Sequence, residues 1–68
     1  MPKKIRELKA ILSQAGFHMR PGKGRHTVWQ HDLLPERIVT LSGNDGDDAK
    51  PYQEKQVKRA VEDVEDRQ

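Results

Sequence analysis

The chain contains no cysteine, which excludes disulfide staples and thiolate metal sites together. Aromatic residues are nearly as scarce, with one tryptophan, one tyrosine and one phenylalanine in 68 residues. No apolar run approaches the ~18 residues of a transmembrane helix. The early lysines are not followed by the uninterrupted apolar segment of a secretory signal, so a soluble, cytoplasmic protein is expected. Acidic residues are almost missing from the opening stretch: residues 1–26 carry Lys3, Lys4, Arg6, Lys9, Arg20, Lys23 and Arg25 against Glu7 alone. Residues 27–68 carry six bases against ten acids, so the net charge of +2 hides a basic first part and an acidic second. A basic surface is the footprint of polyanion binding, because neutralised phosphates release counterions. A solvated surface with an accidental bias gives the same numbers.

Residues 1–68 are expected to form one small domain. Below ~70–80 residues one apolar core rarely supplies more than ~3–5 kcal/mol of net stability. Close packing must therefore carry this chain, helped by a partner or by self-association.

Ile5, Leu8, Ile11, Leu12 and Ala15 follow helical spacing, and Gly16 is a natural terminator. Phe17 to Arg20 alternates like a short half-buried strand. Pro21-Gly22-Lys23-Gly24 has turn chemistry. His26 to His31 is rich in β-formers, Asp32 to Glu36 predicts a turn around Pro35, and Arg37 to Leu41 is a strong strand signal. Ser42 to Lys50 is a polar loop, and Pro51 suits the first turn of a helix. Val57, Ala60, Val61 and Val64 mark that helix's stripe; the tail Glu65–Gln68 is expected to fray. The order is helix, three antiparallel strands, helix, an α+β architecture. Two amphipathic helices cover one face of so small a sheet and leave the other as a wet platform.

The run Gly22-Lys23-Gly24-Arg25-His26 carries the chemistry. Glycines let a backbone approach a phosphate closely, and cations stabilise the charge that builds on phosphoryl oxygens. Imidazole takes and gives a proton near neutral pH, and RNA brings its own nucleophile, the 2′-hydroxyl. A histidine at the start of a strand is also often a plain surface residue. His18 and His31 are weaker candidates. A tight hairpin could bring His18 across the ladder to His26, yet His18 and His31 each read more readily as exposed strand residues. Val28 and Trp29 must point in opposite directions. Trp29 is either a ring for stacking on a base or a core anchor.

No metal is expected. His26 and His31 are five apart, on opposite faces of a regular strand. A calcium loop begun at Asp45 would need Gly at its sixth position and Glu at its twelfth, and meets Lys50 and Gln56. The acids at 45, 47 and 48 read instead as ending the third strand and preparing the N-terminus of the second helix.

Several segments also occur together in a recognisable order. They are Lys4-Ile5-Arg6-Glu7-Leu8, Ala15-Gly16-Phe17, the Gly-x-His triplet within Lys23-Gly24-Arg25-His26, Val39-Thr40-Leu41-Ser42-Gly43, Gly46-Asp47-Asp48-Ala49-Lys50 and Tyr52-Gln53-Glu54-Lys55-Gln56-Val57. On these the chain resembles, over nearly all its length, the HicA family of bacterial toxins from type II toxin–antitoxin modules. The resemblance implies a double-stranded-RNA-binding-like α-β-β-β-α fold and a ribosome-independent mRNA interferase. It also implies a HicB-type antitoxin that masks the active site, and a catalytic histidine at His26. Many members have Ser or Thr where this chain has Arg25. Such folds commonly read duplex shape, and the fold alone does not decide between binding and cutting.

The expected function is thus a metal-independent endoribonuclease acting on mRNA, without a cofactor. His26 is its base or acid, Lys23, Arg25 and Arg20 hold the phosphate, the Gly24 amide assists, and Trp29 is the stacking candidate. The alternative is a non-catalytic RNA-binding module using the same basic face; a purely protein-binding module is a third.

Overall fold

The computed structural model describes residues 2–67. It contains α1 (Ile5–Gln14), β1 (His18–Pro21), β2 (Thr27–His31), β3 (Leu34–Leu41) and α2 (Pro51–Arg67). This is the expected α-β-β-β-α order, with an antiparallel sheet in the order β1-β2-β3.

Helix α1 buries Ile5, Leu8 and Leu12, which recur on one face of a 3.6-residue repeat. Its end is set by Gly16, at φ +95°. The amide of Phe17 donates to the Leu12 carbonyl (3.0 Å) and that of Gly16 to Ser13 (3.1 Å). This is a Schellman closure, and it turns the buried Phe17 back over Leu12.

At the other end of α1, the first-turn amides of Ile5 and Arg6 donate to the carbonyls of Asp47 (2.9 Å) and Asp45 (3.1 Å). The ammonium groups of Lys4 and Lys9 pair with the carboxylates of Asp48 and Asp45. The acids of the 42–50 loop therefore serve α1, which corrects the expectation that they prepare α2. A helix start leaves four amides without intrahelical partners, and folding brings this loop to the amides of the first helix. Helix α2 manages its own start through Gln53, whose Oε1 accepts the Lys50 amide at 2.8 Å.

The register pairs Met19 with Trp29, Pro21 with Thr27, Trp29 with Val39 and Thr27 with Leu41. Trp29, Val39 and Leu41 are buried on one face and join the buried stripes of both helices in a single cluster. The helices thus cover that face. The other face presents Arg20, Val28 and Thr40 in one row and His18, Gln30 and Ile38 in the next.

Strand β3 starts earlier than its sequence indicates. The turn is only Asp32-Leu33, and Pro35 lies inside the strand. Proline lacks a donor, but β3 is an edge strand and tolerates it. The pairing also shifts between Gln30 and His31, and the Pro35 carbonyl accepts from Gln30 Nε2 at 2.6 Å.

Residues 65–67 are helical rather than frayed. Arg37 of β3 pairs with Asp63 of α2, and Arg67 lies 3.6 Å from Glu36, so cross-links to the sheet edge hold the last turn. Gln68, the end of the expected fraying tail, lies outside the described residues. Among the described residues no helix is long and apolar enough to cross a membrane.

Candidate active site

The hairpin between β1 and β2 fixes the position of His26. The His26 amide donates to the Lys23 carbonyl (3.1 Å), and the His26 carbonyl accepts from the Gly22 amide (3.0 Å). The first bond closes a β-turn with Gly24 and Arg25 at its centre. Gly24 has φ +60°, and no described non-glycine residue has a positive φ. Positive φ at the first central position alone is the type II′ pattern, a hairpin turn that favours glycine there. Gly22 has a different reason: a Cβ there would lie 3.0 Å from the His26 carbonyl oxygen. Both glycines thus shape the loop that presents the histidine. His26 precedes β2 rather than opening it. Its imidazole is exposed and makes no hydrogen bond with the protein among the described residues.

His26 lines a shallow cleft of about 410 Å³ with Gly24 and Arg25 from the turn, Lys9 from α1, and Gly43, Asn44 and Asp45 from the loop after β3. Met19, Pro21, Gly22 and Thr27 complete it, and the register places Met19, Pro21 and Thr27 on the helix side of the sheet. The cleft is not on the open sheet face but at the end of the hairpin, where the 42–50 loop and α1 meet it. The reason is the clasp described above, which draws that loop onto α1 and builds a wall opposite the turn.

Of the residues expected to act together, the cleft gathers His26, Gly24 and Arg25. Lys23 stands in the turn between two glycines that line it. Arg20 does not join them, because its register puts it on the open face with Val28 and Thr40. Trp29 is corrected outright. It is 5 % exposed, part of the core, and its indole N–H donates to Thr27 Oγ1 at 3.1 Å. A ring packed under both helices cannot stack on a base.

Neither of the other two histidines lines the cleft. His18 pairs with Gln30, three rungs along the ladder from the Pro21–Thr27 pair beside the turn, a separation of ~10 Å at strand rise. It sits near Asp32 (3.6 Å) in the open. His31 is buried. Its Nδ1 accepts the Leu33 amide at 3.0 Å, so Nε2 carries the proton that faces the Ala15 carbonyl at 3.1 Å. Its ring meets Phe17 edge-on, with centroids 5.2 Å apart. That is a structural histidine with both nitrogens engaged.

Sequence reasoning missed Lys9 and the loop residues 43–45 as cleft residues. The one signal for Lys9 is its helical phase: it lies four residues after buried Ile5, on the flank of the apolar stripe. For the loop no local signal exists, since its position depends on the fold. Among the described residues, no group of three His, Cys, Asp or Glu side chains is arranged to hold a metal ion.

No curated protein matches the chain. The family model described as HicA toxin of bacterial toxin–antitoxin matches residues 5–62. That span runs from the first residue of α1 well into α2 and includes the whole cleft. The chain belongs to the HicA toxin family of bacterial toxin–antitoxin modules.

Proposed function

We propose that this HicA-family chain is a metal-independent endoribonuclease that cleaves mRNA and is neutralised by a HicB-type antitoxin covering the cleft. The observation that carries the reading is the exposed, unpartnered imidazole of His26, held by a hydrogen-bonded turn in a cleft edged with cations.

The chemistry needs little beyond this. The 2′-oxygen of a ribose attacks the adjacent phosphorus, the bond to the 5′-oxygen breaks, and a cyclic phosphate and a free 5′-hydroxyl result. One proton leaves the attacking hydroxyl and another reaches the departing oxygen, and His26 handles one of these transfers. Arg25, with Lys23 beside it, draws the phosphate toward the ring. The Gly24 amide assists at the bend of the turn. Where many relatives carry a small hydroxyl residue, Arg25 adds a long cation to the grip.

The test is incubation of the purified chain with end-labelled mRNA in EDTA. Cleavage products carrying 5′-hydroxyls are expected to form undiminished. Salt-sensitive binding without products would replace the nuclease with a non-catalytic RNA-binding module.

The turn cations have a separate signature. On single-stranded RNA each neutralised phosphate contributes ~0.7 to the slope of log affinity against log salt. Removing both Lys23 and Arg25 as alanines is expected to lower that slope by ~1.4. Titrations at several salt concentrations with uncleavable 2′-deoxy-substituted RNA measure it. An unchanged slope would take both residues out of the phosphate contact.

A further inference from the structure

We propose that Lys9 is a second catalytic residue of the same cleft, the cation that contacts the phosphoryl oxygens while His26 moves a proton. The proposal rests on the nuclease reading above and adds a residue to it.

Transesterification at phosphorus places growing negative charge on the non-bridging oxygens, and a cation fixed beside them lowers that barrier more than a mobile one does. The cleft offers two cationic side chains on its walls, Arg25 and Lys9. Arg25 sits at the centre of a hairpin turn, is exposed, and has no ion-pair partner among the described residues. Lys9 stands on the second turn of α1, a rigid element anchored by the buried Ile5, Leu8 and Leu12. Groups on helices hold a reacting geometry more closely than groups on loops.

Two further observations place the ammonium. The Lys9 side chain is only 25 % exposed, and its Nζ is tied to Asp45 Oδ1 at 2.6 Å. Asp45 belongs to the wall facing the hairpin, and its backbone is fixed because its carbonyl accepts the Arg6 amide. An anion therefore already occupies a ligand position of Lys9 inside the cleft. A quarter of the Lys9 side chain remains exposed, and a phosphate oxygen reaches the ammonium there by sharing it with, or displacing, the Asp45 carboxylate. With His18 remote and His31 engaged by two backbone groups, no other histidine shares the work.

The experiment compares wild type, Lys9→Met and Lys9→Arg on a short fluorogenic RNA in EDTA, with melting curves for each. Lys9→Met keeps the apolar stem of the side chain and removes the ammonium, and with it the ion pair to Asp45. Its kcat is expected to fall ~100-fold, the usual scale for losing one group that stabilises transition-state charge. KM is expected to stay within about threefold, the pattern of an interaction made mainly in the transition state. Lys9→Arg is expected to recover at least a tenth of wild-type kcat. A Lys9→Met protein that melts normally and keeps kcat within twofold of wild type overturns the proposal. So does a change confined to KM, which would make Lys9 a binding residue only. If Lys9→Met fails to fold, a Lys9→Arg rate below a hundredth of wild type in a normally melting protein overturns it, and recovery above a tenth supports it. Absence of cleavage by wild type itself would instead remove the nuclease reading, and the role of Lys9 with it.

Discussion

Replacing His26 with alanine is expected to lower RNA cleavage by ~10²–10⁴-fold, the range for removing a positioned acid or base. The melting temperature should scarcely move. The imidazole is exposed and unbonded, and the two hydrogen bonds that hold this residue come from its backbone, which alanine retains. Surface substitutions of that kind usually lie within ~0.5 kcal/mol of neutral. In cells the same change should abolish growth arrest on expression. Cleavage of labelled RNA and a thermal melt, run on the same preparation, check both halves. An alanine variant that cuts as fast as wild type would show that the imidazole takes no part. One that unfolds would show instead that the ring has a structural duty the geometry does not reveal.

The second large effect concerns stability and lies at the opposite end of the sheet. Gly16→Ala should cost several kcal/mol, from two sources. Placing a Cβ at φ +95° costs ~1–2 kcal/mol in the left-handed region. That Cβ would also lie 2.9 Å from Nε2 of His31, the atom facing the Ala15 carbonyl. Displacing the ring costs a further ~1–3 kcal/mol by orphaning part-buried polar groups. At ~4–8 °C per kcal/mol for a domain of this size, a fall of ~8–40 °C follows. The two sources separate in a double-mutant cycle. With His31 already replaced by alanine, Gly16→Ala should cost only its backbone strain, so the pair couples by ~1–3 kcal/mol. Strict additivity in denaturant melts would show that the glycine and the histidine are independent.

These two predictions mark how differently the three histidines are used, and sequence distinguished them unevenly. His26 stands out because Gly22-Lys23-Gly24-Arg25 surrounds it with turn chemistry and charge, all of which is local. His31 shares strand parity with Trp29, so its burial was available in principle. It followed only once Trp29 was known to point inward, and two adjacent apolar residues cannot settle that. His18 was placed by the β1–β2 register, which pairs it with Gln30 and which a one-residue slip would overturn.

The sequence alone determined the order of elements, both helical stripes, the end of α1 and the turn that carries His26. Each depends on contacts between near neighbours: helical periodicity, the freedom of glycine at positive φ, and the fixed φ of proline. It also determined the family, since the matching segments are strung along the chain in order. Only the tertiary structure decided which wall faces the imidazole. That wall is made when Asp45 and Asp47 lend their carbonyls to the first turn of α1, joining residues some forty positions apart. No spacing in the chain encodes the meeting; it comes from the orphan amides of a helix end, whose partners are chosen by the packed fold rather than by their neighbours in sequence.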